Sequence, residues 1–296
     1  MPSLIANASE SNNCEYAAMN YRHAFHAGNF ADVFKHIVLT RIVEYLKRKD
    51  KPFRIFDTHA GLGLYDLTSE EALKTDEWQL GVKKVLDAKP PEAVAKLIAP
   101  WIEQVKTVGD DAYPGSPRIA HGLLRKSDRL SLYEMHPDDF PVLQKHFDGD
   151  YQTRVSNSDG WLVSVSPIPP KEGRGLILVD PPFEDGKDFD RMIMMLNESS
   201  RRWAGGVVAL WYPVKRREHT DEWLGSLKGL KYRNLLNVEI YIRNPRPSGM
   251  LNGCGMVILN PPYLLRQELE TILPWLSETL KQDKGWGYRI QDLSGK

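Results

Sequence analysis

Cysteine is scarce. Cys14 and Cys254 are the only two in 296 residues, far apart and in no CxxC or zinc-ligand spacing, which excludes a disulfide framework and a cysteine-based metal knuckle. Long apolar runs are missing: none approaches the ~20 residues that span a bilayer. The opening stretch, MPSLIANASESNNCEYAA, has no basic start and no extended apolar segment, so a secretory signal is not expected and a reducing cytoplasm is. Neither sign of charge prevails, with 39 Lys and Arg against 39 Asp and Glu. The first 18 residues hold Glu10 and Glu15 and no basic residue, so without them 39 basic residues face 37 acidic ones. That balance excludes a protein that coats nucleic acid by bulk basicity; any RNA surface must be a local patch.

What is present is a globular composition, 42% hydrophobic and 26% charged. Residues 1–18 are small and polar without periodicity and are read as a disordered tail. Apolar residues at helical spacing predict a helix over 30–48. Short apolar runs ending in turn residues predict seven strands: 53–61, 128–136, 153–160, 174–182, 205–213, 235–243 and 254–262. Helical stretches separate most of them, which indicates an α/β fold with a mostly parallel sheet. The link between the last two strands holds Pro245, Pro247 and Gly249 and is too short for a crossover helix, so the last strand should be antiparallel. Residues 66–110 lack strand signals and form an expected helical insertion, with helices over 76–88 and 92–106. The main domain would then comprise 19–65 and 111–296. A parallel sheet closed by an antiparallel strand is the layout of Rossmann-like methyltransferases.

Four motifs carry chemistry. Asp57-Thr58-His59-Ala60-Gly61-Leu62-Gly63 closes the first strand, where open α/β sheets bind ligands. It lacks the third glycine of a dinucleotide fingerprint, since Asp66 occupies that place, which argues against a dehydrogenase. Glu134 ends the second strand and can accept from both hydroxyls of a ribose; a solvated strand-end acid is the plainer meaning. Asp159-Gly160 follows the third strand. The Asp can accept from an adenine amino group and the Gly leaves room for the ring, although Asp-Gly is also a common turn.

The most specific motif is Asp180-Pro181-Pro182-Phe183, after the apolar run GLILV. The amino group of adenine is conjugated to its ring and is a poor nucleophile. Two acceptors aimed at its hydrogens, the Asp180 carboxylate and the Pro181 carbonyl, would pull the nitrogen toward a pyramidal geometry. Asp180 is also placed to receive a proton. Phe183 offers a flat face to an unstacked base. Asn260-Pro261-Pro262-Tyr263 has the same pattern, but it ends the antiparallel strand and should emerge at the opposite edge, in a structural role.

His23, His26 and His36 lie close together in sequence, yet no cysteine partner or HExxH spacing supports a metal, and packing with hydrogen bonds is the preferred meaning. Lys215-Arg216-Arg217 and Arg201-Arg202 flank the fifth strand. They are a candidate path for a phosphate backbone, or simply a solvated face.

Taken together, YRHAFHAGNFADVFKH, DTHAGLG, YPGSP, YEMHP, SDG, GLILVDPPF and ALWYPV resemble the bacterial 23S rRNA (adenine-N6)-methyltransferases of the RlmJ type. The resemblance runs from about residue 19 to near 280. It implies S-adenosylmethionine as methyl donor and one adenine of 23S ribosomal RNA, numbered 2030 in that nomenclature, as target. A cytoplasmic monomer without metal or membrane partner is expected. His36, His59, Ser116, Glu134, Asp159, Gly160 and Asp180 match the family's cofactor-binding positions, and Asp180 its catalytic position. Tyr21 matches a residue that faces the RNA, and Lys35, next to His36, is expected at the site. Two departures stand out: Phe183 replaces the family's usual Tyr, and the 18-residue amino extension is unlike the family pattern. A DNA adenine methyltransferase and a noncatalytic nucleotide- or RNA-binding module on the same fold are the alternatives.

Overall fold

The computed structural model describes residues 22–164, 166–184, 186–245 and 250–295. The expected tail at 1–18, Tyr21, and Pro247 and Gly249 of the last link lie outside the described residues.

Helix α1 (Phe30–Lys47) begins where the side chain of Asn29 accepts from the amides of Ala31 and Asp32, satisfying two donors the first turn leaves open. It is apolar almost all round, and fourteen of its 18 residues are buried. Strand β1 (Arg54–Asp57) follows, then a small antiparallel ribbon, β2 (Leu64–Asp66) with β3 (Ala112–Pro114). Between the ribbon strands run α2 (Glu70–Thr75), α3 (Lys84–Asp87) and α4 (Glu92–Lys106). The rest alternates: α5 (Ser116–Leu123), β4 (Arg129–Tyr133), α6 (Asp139–His146), β5 (Thr153–Ser156), β6 (Gly175–Val179), α7 (Asp188–Arg202), β7 (Val207–Val214), α8 (Arg217–Gly229), β8 (Leu235–Tyr241), β9 (Gly253–Leu259), α9 (Leu265–Leu280) and β10 (Gly287–Asp292).

The sheet order is β10-β8-β9-β7-β6-β1-β4-β5. The five strands from β7 to β5 are mutually parallel, and β9 runs antiparallel to both β7 and β8. This is the expected layout with an eighth strand added: β10 pairs antiparallel with β8 at the edge. Both faces are covered, which is why GLILV reads as a continuous apolar run. Leu176 and Leu178 pack with α1, α4, α5 and α9 on one face. Ile177 and Val179 pack with α7 and α8 on the other. Each such side chain contributes about 1.5–3 kcal/mol on burial. Among the described residues no helix is long and apolar enough to cross a membrane.

Two details fix the site's frame. Gly81 breaks the single helix expected over 76–88 into a wide turn (Gln79–Lys83) and α3, because its backbone sits against α1's cap. A β-carbon there would lie 2.1 Å from the Gly28 carbonyl, and the Val82 amide donates to that same oxygen at 2.8 Å. At the far edge, Asn260 adopts φ +52° and its Nδ2 donates to the carbonyls of Ala204 (3.0 Å) and Gly206 (2.8 Å), just before β7. The second Pro-Pro motif thus lies at the amino end of β7, opposite Asp180.

Candidate active site

The carboxyl ends of β1, β4, β6 and β7 meet the first two turns of α1 around a cleft of about 630 Å³. Open α/β sheets bind ligands at this edge. The floor is ionic. Lys35, on α1, pairs directly with the Asp180 carboxylate at the end of β6 and lies 2.9 Å from Asp32 Oδ1. Asp32 accepts in turn from the Gly28 amide (2.9 Å) and faces His23 Nε2 at 2.9 Å. Burial opposes the charge on Lys35, but Asp180 and Asp32 outweigh it and hold the ammonium well above the usual lysine range. Burial likewise opposes ionisation of Asp32, and His23 and Lys35 overcome it, holding the carboxyl well below the usual range. The floor is therefore a fixed line of alternating charge.

The β1 loop forms one wall. Gly61 and Gly63 adopt φ +60° and +78°, and a β-carbon on Gly61 would collide with the Tyr65 hydroxyl at 2.3 Å. The Gly61 amide donates to Glu134 Oε2 and the His136 amide to Oε1, both at 2.7 Å, so Glu134 ties this loop to the end of β4. Burial raises its carboxyl despite those bonds. Each oxygen keeps a further lone pair for a ligand hydroxyl. Asp57 is buried, and neither of its oxygens makes a hydrogen bond among the described residues. Burial pushes its carboxyl up to about 6, against the pull of nearby Ser116 and Lys35.

His36 and His59 line the cleft as neutral rings, burial driving both down to about 3. His59 Nδ1 is 2.8 Å from the Thr58 hydroxyl, and its ring meets Trp161 edge-on. Phe183 holds the left-handed backbone at φ +55°, a strained state for a bulky residue. Its ring is backed by Phe189 and Trp211, with centroids 5.1 and 5.8 Å away.

Of the residues the sequence singles out, His36, His59, Ser116, Glu134, Lys35, Asp180, Pro181 and Phe183 line this one cleft. Asp159 and Gly160 flank it instead. Asp159 caps the next turn through the Trp161 amide (2.9 Å), and Gly160 packs so tightly that a β-carbon would meet the Thr58 carbonyl at 1.9 Å. The three early histidines have separate partners, His23 with Asp32, His26 with Glu77 and His36 with Tyr113. The basic cluster is divided: Lys215 lines the cleft, Arg217 pairs with buried Glu239 at 3.1 Å, and Arg201 pairs with Glu198. Two acids carried no individual role in the sequence: Asp32, which lines the cleft, and Asp57, buried at the end of β1. Asp32 had a signal, an acid three residues before Lys35 inside an apolar helix. Asp57 had one in opening the glycine motif.

The comparisons agree with this geometry. Residues 50–291 match the family described as Ribosomal RNA large subunit methyltransferase D, RlmJ. The chain is 40% identical over 268 residues to ribosomal RNA large subunit methyltransferase J of Escherichia coli strain K12, covering 88% of this chain and 94% of that one. The Haemophilus influenzae protein of the same name is 40% identical over 265 residues, with the same coverage. A crystal structure of a Legionella pneumophila protein superposes with a TM-score of 0.81 at 32% identity, over 90% of this chain and 98% of that one. The chain belongs to the RlmJ family of large-subunit ribosomal RNA methyltransferases.

Proposed function

We propose that this chain methylates the N6 amino group of one adenine in 23S ribosomal RNA, with S-adenosylmethionine as donor. The observation that carries the reading is the Asp180 carboxylate, gripped by Lys35 on the floor of a cleft whose other wall is the Gly61 loop tied to Glu134.

The residues present fit the donor. Asp57 is a buried carboxylate with unused oxygens, suited to an ammonium group. Glu134 suits ribose hydroxyls. His36 Nε2 and Ser116 are polar groups available to a carboxylate, His36 Nε2 being buried without a partner among the described residues. When bound, S-adenosylmethionine supplies an electrophilic methyl group on a sulfonium.

The chain's own residues prepare the amine. Lys35 pairs with the Asp180 carboxylate and fixes it in place. Asp180 and the Pro181 carbonyl accept the two N6 hydrogens and draw the lone pair out of conjugation with the ring. This is stabilisation by prearranged acceptors, worth roughly 10²–10³ in rate for a single group in comparable sites. Phe183, held by Phe189 and Trp211, gives the base a face to rest on.

The test is mass spectrometry of 23S ribosomal RNA from cells with and without the protein, and from cells carrying Asp180→Ala. Loss of one N6-methyladenine in both deficient strains is expected. An unchanged modification map would overturn the reading. Methyl transfer to duplex DNA but not to ribosomal RNA fragments would replace it with the DNA alternative.

A further inference from the structure

His36 and Tyr113 face each other behind the cofactor wall. The Tyr113 ring is fully buried on β3, its hydroxyl stands 2.8 Å from His36 Nδ1, and the two rings lie 24° from parallel with centroids 5.6 Å apart. On the other side of the imidazole, Nε2 is buried without a partner among the described residues, and His36 lines the cleft. Burial keeps the ring neutral at physiological pH, so one proton must choose between two nitrogens.

The choice follows from counting hydrogens. If Nδ1 carried the proton, the Tyr113 hydroxyl would have to accept. Its own hydrogen would then be buried, and no other acceptor reaches it among the described residues. An orphaned buried donor gives up its hydrogen bond to water and gains none in return. If the hydroxyl donates to Nδ1, that hydrogen is used and the ring proton moves to Nε2. The Nε2–H then waits for an acceptor from the ligand. Its surroundings suit an anion. Ser116 lines the same wall and opens α5, whose Gly115 cap offers no side-chain acceptor; Pro117 has no amide hydrogen and Ile119 donates to Gly115, so the amides of Ser116 and Arg118 are left for a negative group.

We infer that Tyr113 is a positioning residue: it fixes His36 as the Nε2–H tautomer and so makes it a donor to the carboxylate at the amino-acid end of the methyl donor. The inference rests on the cofactor reading above and adds to it a residue that touches no ligand.

The test combines spectroscopy with a mutant cycle. ¹⁵N NMR of the imidazole in the ligand-free full chain should show the Nε2–H tautomer of His36, and Tyr113→Phe should give a mixture. Titration calorimetry with S-adenosylhomocysteine should show roughly tenfold weaker binding for Tyr113→Phe. The same change in a His36→Ala background should have no further effect. An Nδ1–H tautomer in the unaltered chain would overturn the inference even if Tyr113→Phe failed to fold. So would Tyr113→Phe binding as tightly as the unaltered chain, or weakening binding equally with and without His36. Failure of the unaltered chain to bind S-adenosylhomocysteine would overturn the cofactor reading and this role with it. Unaltered binding beside an indifferent Tyr113→Phe would overturn the inference alone.

Discussion

Lys35 on α1 and Asp180 at the end of β6, 145 residues apart in sequence, form a direct ion pair on the cleft floor. The lysine is shared with Asp32, whose side chain is 1% exposed. Removing the ammonium therefore takes the shared partner from two carboxylates, the buried Asp32 and the partly exposed Asp180. Lys35→Met is expected to cost about 3–5 kcal/mol of stability, the usual penalty for breaking a buried pair from one side. It is also expected to reduce methyl transfer at least about tenfold, because Asp180 loses its anchor. Urea denaturation and a labelled-methyl assay check both. Stability within about 1 kcal/mol of the unaltered chain would show that the pair is not the organising contact described above.

The two Pro-Pro motifs give opposite expectations. Asp180→Ala should reduce turnover by about 10²–10³ while S-adenosylhomocysteine affinity changes only a few-fold. Asn260→Ala should leave the rate nearly unchanged and lower stability by roughly 1–3 kcal/mol, since alanine is strained at φ +52° and the bonds to Ala204 and Gly206 are lost. A rate collapse in a folded Asn260→Ala protein would reverse the assignment.

Asp57 gives a pH-dependent signature. Its folded carboxyl sits at about 6, above its ordinary value. Between about pH 4 and 6 the native chain holds a proton the unfolded chain has released, so this group's contribution to stability falls as pH rises through that window. The full effect is about 3 kcal/mol. Asp57→Asn should therefore melt above the unaltered chain at about pH 7.5 without cofactor, the difference closing toward about pH 4. Its affinity for S-adenosylhomocysteine should drop. Scanning calorimetry at several pH values reads the first effect; a difference that widened toward acid would have the wrong sign.

Phe183 is expected to act on the RNA rather than on the donor. Stacking of a base on an aromatic ring is worth about 1–3 kcal/mol, so Phe183→Ala should raise KM for an RNA hairpin substrate by roughly 5- to 150-fold with donor KM little changed. Phe183→Tyr should restore it. Steady-state kinetics with both substrates varied would expose a donor effect if there is one.

The sequence displayed its periodic parts clearly. GLILV announces a strand covered on both faces, and the link holding Pro245 announces an antiparallel pair. Strand β10 was hidden because GYRIQD at an edge is polar and half-exposed, and three-residue strands such as β2 and β3 are shorter than any alternation can register. The helix over 76–88 was continuous in pattern, and only the contact between Gly81 and Gly28 explains its break. Asp180 was legible because prolines and an aromatic mark it. Asp32 and Asp57 left fainter signals, because Asp32 takes its character from His23 and Lys35 once the chain has folded, and Asp57 from burial.

Gly81 also sets where α1 begins. Its backbone is locked onto Gly28 and Asn29, directly before the first two turns of α1, which bear Asp32 and Lys35. A side chain at position 81 would push the excursion between β2 and β3 off that cap, and the two charged groups on the cleft floor would have to shift with it.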